Sequence, residues 1–258
     1  MVRREGKKLL FILPSGAGIL IFYLLPLIYC FLYAFSGTSG RFRFAGGTNY
    51  FSLLRSETFR LAIGNTYLMM FLCVAVLMLV SLVLVYFLDS GKGTLGLLLI
   101  CSLPMLLPGT LIVRCLEEVD IAPRMTLLFI FLWKYTGFHV LLLKVIETNM
   151  SIEWTEAAVL EKANKWQVFT RIRLCYLWPY IRFLLIFDGI CFFRLFRESY
   201  LLYGIYPPEQ VYMISNFFFN NFQNLNYRRL SAAAVITLIP LLLFFCVLLK
   251  VGEKHEMV

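Results

Sequence analysis

The sequence predicts an all-α polytopic membrane protein with six transmembrane helices, and three observations carry that reading. Of its 258 residues, 60% are hydrophobic and 15% charged, against about 25% charged in soluble globular proteins. The hydrophobic residues gather into runs that match the span of a helix, about 20 residues for a hydrocarbon core about 30 Å thick. The formal charge of +9 sits mainly at the ends of those runs. That placement suits anchoring in a lipid bilayer and argues against nucleic acid as a partner.

The runs are taken in order. Residues 9–35 follow the basic start MVRREGKK and imitate a secretory signal. They are too long for a signal core of about 7 to 15 residues and no small-x-small site closes them, so they are read as a retained first span. Residues 62–88, 95–113 and 125–146 form the second, third and fourth spans. Residues 180–196 form a shorter fifth, and residues 230–251 the sixth. With both termini inside, the inner segments hold thirteen Lys and Arg residues and the outer ones eight, a modest positive-inside bias.

The connections differ in kind. DSGKGTLG after the second run reads as a tight inner turn, and FAGGTNYFSLLRSETFRLAIGN as an outer surface segment leading into the second span. YGIYPPEQVYMISNFFFNNFQNLN has Pro207 and Pro208 as helix breakers and suits a segment that dips into the outer leaflet or lines a cavity. Its Asn220, Asn221, Asn224 and Asn226 fit ligand contact and turn formation equally.

Several chemistries lack their residues. The seven cysteines are scattered singly with no CxxC pair, so neither a disulfide framework nor a zinc site is indicated. His139 and His255 are far apart and receive no catalytic role. SGKGT at 90–94 lacks the first Gly of a phosphate-cradling loop at the required spacing.

One stretch breaks the apolar pattern. TEAAVLEKANKWQVFTRIRLCYLWP, residues 155–179, mixes charged and amide groups with an intermittent helical stripe at Ala157, Ala158, Leu160, Ala163, Trp166, Phe169, Ile172 and Leu174. Ser151 or Thr155 can cap its start. Two short amphipathic helices joined by a turn fit it, ending where Pro179 opens the fifth span. By itself the stretch fits an ordinary solvated inner loop about as well.

At these residues the chain resembles the permease subunits of bacterial ABC importers. Their EAA loop follows E-A-A-x-x-D-G-A-x-x-x-Q-x-F-x-x-I-x-L-P-x-L-x-P. Glu156, Ala157, Ala158, Ala163, Phe169, Ile172, Leu174, Leu177 and Pro179 match it in register, with Gln167 at or beside a variable Trp-Gln pair. ILPSGAGILIFYLLPLIYCFLYAF, LWKYTGFHVLLLKVIETN, FFRLFRESYLLYG and NFFFNNFQNLNYRRLSAAAV resemble further spans of the multiple-sugar branch, so the resemblance covers nearly the whole chain. Three departures stand out. Glu161-Lys162 replaces Asp-Gly, Leu174-Cys175 replaces Leu-Pro, and the outer link RCLEEVDIAPR is short. A Lys in the left-handed turn that Gly normally permits would cost on the order of 1 kcal/mol, so a reshaped turn is one expectation.

The resemblance implies a type I ABC importer fold, residues 1–258 forming one permease domain with a cytoplasmic coupling loop at 148–178. It implies a second permease subunit, an ATPase dimer that carries ATP and Mg, an extracellular sugar-binding protein and a location in the bacterial cell membrane, with no cofactor on this chain. Glu156, Ala157, Ala158, Glu161 and Ala163 would dock on the ATPase, Glu156 making the fixed polar contact.

Ionisable residues in spans point to function because lipid exposure costs several kcal/mol. Asp188, Arg194, Arg197 and Glu198 fall in and just beyond the fifth run, and Lys134 in the fourth. Arg194, Arg197 and Glu198 share one helical face. They either form a structural Arg194–Glu198 pair or, with Phe193, Tyr135 and Tyr200 as aromatic platforms, line a sugar path; Lys134 reads as structural. The alternatives of another class are a stand-alone ion-coupled carrier and an integral-membrane enzyme built on Asp188, Arg194 and Arg197. The first would need inverted repeats and broken helices near midplane, the second a catalytic constellation.

Overall fold

The computed structural model describes residues 13–37, 44–88, 92–116 and 121–253. The basic start of the first run, part of the inner turn at 89–91, part of the outer link at 117–120 and the tail with His255 lie outside the described residues. Those described are helical apart from turns and one isolated bridge between Ser36 and Phe44. In chain order the helices are α1 (Leu13–Ala34), α2 (Thr48–Leu54), α3 (Glu57–Phe87), α4 (Lys92–Cys101) and α5 (Gly109–Leu116). They continue with α6 (Pro123–Glu147), α7 (Ile152–Leu160), α8 (Lys165–Tyr203), α9 (Ile214–Gln223) and α10 (Tyr227–Glu253).

Among the described residues, α1, α3, α6, α8 and α10 are each long and apolar enough to cross a membrane. The third run behaves differently. Its helical parts, Gly93–Leu106 and Gly109–Leu116, meet at 91°, so the span read over 95–113 is a bent pair, which counted as one span brings the candidates among the described residues to six. The cause is local. Pro104 sits in a 3₁₀ turn, Leu103–Leu106, and Leu107 takes an extended conformation (φ −68°, ψ 140°), as the crowding of the following Pro108 requires.

The fifth run is also corrected. Pro179 lies inside α8, an apolar helix of 39 residues that begins at Lys165. The second short helix of the polar stretch is therefore the first part of a membrane-long helix. Its backbone passes through a π turn at Phe169–Arg173, a distortion common at functional positions.

The chain divides into two compact units. One holds the chain up to Arg60 with Phe217–Leu242. In it Asn49 donates to the carbonyls of Ala34 and Ser36 at 2.9 Å each, fastening α2 to the end of α1, while the Phe59 and Phe217 rings meet edge to face at 5.4 Å. The other holds Leu61–Asn216 with the chain after Leu242. Its core joins Met78 and Val85 of α3, Leu98 of α4, Val140 and Leu143 of α6, and Phe169, Leu177, Ile181 and Leu184 of α8. Helix α4 comes so close to α6 that Gly137 lies directly against the backbone of Cys101 and Ser102.

Candidate functional site

Two features of the second unit carry polar groups where apolar helices dominate: the α7 loop and a cavity beside Glu198. Helix α7 starts at Ser151, whose backbone takes the N-cap conformation without a side-chain capping bond. Thr155, the alternative cap, lies inside the helix and donates to the Ile152 carbonyl at 2.7 Å.

The end of α7 answers the expectation of a reshaped turn. Ala163 N–H donates to the Ala158 carbonyl at 3.0 Å and Lys162 N–H to the Val159 carbonyl at 2.9 Å, the two bonds of a Schellman motif. Lys162 occupies the left-handed position with φ 57°. The turn keeps its shape and a Lys bears the strain, because the two bonds satisfy carbonyls that the helix end would leave orphaned. Lys162→Gly is accordingly expected to raise the melting midpoint of the purified protein, a gain of up to about 1 kcal/mol. A lower midpoint would show that the Lys side chain compensates.

The next residues restart the helix. Asn164 accepts from Gln167 N–H at 2.8 Å while its own N–H donates to Gln167 Oε1 at 2.9 Å, a reciprocal capping box. The Asn-x-x-Gln spacing was available in the sequence. Behind it, the Tyr86 ring of α3 meets Trp166 at 5.7 Å and Phe169 at 5.1 Å. The base of the loop is pinned as well. Glu147 at the end of α6 pairs with Lys144 Nζ at 2.7 Å and with the Arg173 guanidinium of α8 at 2.9 Å, so one carboxylate joins the two helices between which the loop runs.

With its ends fixed, α7 buries only Ala158. Ile152, Glu156 and Val159 follow one another at spacings of four and three and share a face, and all three are exposed, as are Ala157, Leu160 and Glu161; Ala163 is half-buried. Leu160 is 85% exposed. A carboxylate stands in the middle of an uncovered aliphatic stripe.

The second feature is a cavity of about 560 Å³ lined by the 105–109 turn, Lys134, Phe193, Arg194, Phe196, Arg197 and Glu198. Lys134 Nζ meets Glu198 Oε1 at 2.6 Å, with both side chains nearly buried. The expected Arg194–Glu198 pair is therefore corrected: the carboxylate bonds across to α6. Arg194 and Arg197 have no ion-pair partner among the described residues. The helical ladder of α8 is interrupted at Leu195, which modifies the one-face argument, though the three residues still line the same space. The Glu198 carboxylate fills the space that a Cβ on Gly109 would need, at the start of α5, where a helix N-terminus favours negative charge.

The other path candidates lie elsewhere. Tyr135 is buried against Phe131 and Phe187, and Tyr200 is half-buried beside Phe196. Asp188 does not join Arg194 and Arg197. It is fully buried and bonds His139 Nε2 at 2.9 Å, so the Asp188, Arg194 and Arg197 cluster of the enzyme alternative is not formed.

Sequence reasoning missed this pair, since His139 was passed over; the only signal was two polar residues isolated in apolar runs. It also missed how Asn65 and Arg124 hold the segment after Gly204. Asn65 donates to the carbonyls of Glu209 and Tyr212, and Arg124 to that of Gln210 and to Asn65 Oδ1. The asparagines near 220 serve a turn in part. Asn226 N–H bonds the Asn221 carbonyl, and Leu225 N–H the Phe222 carbonyl, closing α9. Leu225, at φ 57°, takes the left-handed position between Asn224 and Asn226.

No protein-family model matches the chain. It is 27% identical over 274 residues, 95% of this chain and 87% of the relative, to the arabinooligosaccharides transport system permease protein AraP of Bacillus subtilis (strain 168). Among solved structures, a chain of a bacterial ABC transporter involved in the import of the acidic polysaccharide alginate superposes with a TM-score of 0.79 at 21% identity, covering 100% of this chain and 97% of that one. The alginate transporter in complex with a periplasmic protein bound to an alginate pentasaccharide gives 0.79 at 20% identity, covering 98% and 96%. The all-helical architecture is the fold of those transporter chains.

Proposed function

We propose that this chain is a permease subunit of the bacterial carbohydrate ABC importer family, spanning the membrane several times and forming half of the path for a sugar or oligosaccharide. The observation that carries the reading is the uncovered Ile152–Glu156–Val159 stripe on a helix pinned at its base by Glu147. Contiguous exposed apolar surface calls for a cover, and a short amphipathic helix with a central carboxylate suits a groove on another protein. The near full-length likeness to an arabinooligosaccharide permease supports a sugar as cargo.

In this reading Glu156, Ala157, Ala158, Glu161 and Ala163 belong to a coupling surface within residues 148–178 of one permease domain. An ATPase dimer holding ATP and Mg seats on it, so hydrolysis occurs on those partners. A second permease completes the path and an extracellular sugar-binding protein delivers the cargo. The termini and α7 face the cytoplasm. Because Trp154 of α7 packs edge to face on Tyr176 of α8, and Glu147 joins α8 to α6 through Arg173, a displacement imposed on α7 reaches both helices that line the cavity. ATP and sugar shift the balance of inward and outward states only through unequal binding to them. Phe193, Arg194, Arg197 and Glu198 line the path, with Tyr135 and Tyr200 supporting it.

Purification of the tagged chain from membranes is expected to bring along an ATPase and a second permease. In that complex Glu156→Ala is expected to lower sugar-stimulated ATP hydrolysis and uptake at least about ten-fold, the loss of one charge-assisted contact, with the chain still inserted. Wild-type coupling in the variant would remove Glu156 from the docking contact, and absence of any ATPase would overturn the reading.

A further inference from the structure

We infer that the cavity beside Glu198 selects a carboxylate-bearing saccharide, a uronate or its oligomers, over a neutral one; this rests on the importer reading and names its substrate class. Lys134, Arg194 and Arg197 bring three positive charges to the cavity and Glu198 brings one negative charge, a formal balance of +3 − 1 = +2. Glu198 is engaged by Lys134 at 2.6 Å. The two guanidiniums therefore carry the excess, with no acidic partner among the described residues.

Arg194 and Arg197 are both exposed, so each is open to a bound counter-charge, and it gains most from one where the ligand displaces water from between them. Neutral sugar hydroxyls leave that gain unrealised. A carboxylate realises it, because its two oxygens match the planar fork of Arg. Phe193 and Phe196 offer ring faces to the apolar side of a pyranose, and the Glu198 carboxylate can accept from a ring hydroxyl. A sugar phosphate brings its two charges to that carboxylate on one group, whereas a uronate oligomer spreads single charges one per ring, which favours the uronate. The volume of about 560 Å³ lies within the usual range for small-molecule sites, about 300 to 1,000 Å³.

The test is equilibrium binding to the purified full complex, freed of its binding protein, with three probes: a short oligogalacturonate, a neutral arabino-oligosaccharide of equal length and a hexose phosphate. The oligogalacturonate is expected to bind at least about ten-fold more tightly than the other two. Arg194→Gln with Arg197→Gln is expected to close that gap, while Arg197→Lys, which keeps the charge and loses the planar fork, narrows it without closing it. Equal binding of acidic and neutral probes, tighter binding of the hexose phosphate, or a double variant that loses all probes equally would overturn the inference. ATP-dependent uptake separates the two levels. Import of the neutral sugar without the acidic one overturns the substrate class alone, whereas a chain that purifies without an ATPase overturns the importer reading.

Discussion

Gly137→Ala is expected to destabilise the protein by about 3 kcal/mol or more and to cut the yield of assembled complex sharply. An added Cβ would overlap the carbonyl oxygen of Cys101 and stand 2.8 Å from the Ser102 nitrogen. Overpacking against mobile side chains costs about 1 to 3 kcal/mol. Here the obstacle is backbone, which cannot rotate out of the way, so α4 as a whole must retreat from α6. The damage spreads because α4 leads directly into the 3₁₀ turn and the 105–109 wall of the cavity. Size-exclusion yield and melting midpoint of the detergent-solubilised complex measure the effect. Wild-type values for both would mean that α4 and α6 do not meet at this glycine.

His139→Leu is the second variant with a large expected effect, a loss of about 3 to 5 kcal/mol. The Asp188 carboxylate is fully buried, and His139 is its hydrogen-bond partner at 2.9 Å, leaving Oδ2 unpartnered among the described residues. Removing the imidazole strands the whole carboxylate in an apolar environment. The double variant His139→Leu with Asp188→Leu is expected to recover most of the loss, since replacing both partners removes the desolvation cost together with the bond. A double-mutant cycle on the melting midpoint isolates the coupling. Additive losses would show that the two side chains do not support one another.

Much of the helical framework was legible along the chain because burial in lipid leaves a one-dimensional trace. Residues 62–88 and 125–146 read as spans and became α3 and α6 with little shift. The third run shows where that trace fails. Apolar content over 95–113 is continuous, yet the helix breaks, since hydropathy counts surface and not dihedral angle. Pro104 and Pro108 held the information. At Lys162 the opposite happened: the cost of the left-handed position was foreseen, and two backbone bonds from Ala163 and Lys162 outweighed it.

The candidate site was legible as residue types and not as partners. Arg194, Arg197 and Glu198 stood close together on the chain, which made an internal pair the obvious choice. Glu198 instead bonds Lys134, 64 residues away, and Asp188 bonds His139, 49 residues away.

The sequence by itself determined that the chain is a set of apolar helices carrying one amphipathic interruption, because a residue's preference for lipid or water is its own property. Which helix breaks, which charge neutralises which, and which guanidiniums remain to face a cavity were decided by tertiary structure. Those outcomes depend on distances of about 3 Å between groups far apart in sequence, and only packed helices bring such groups together.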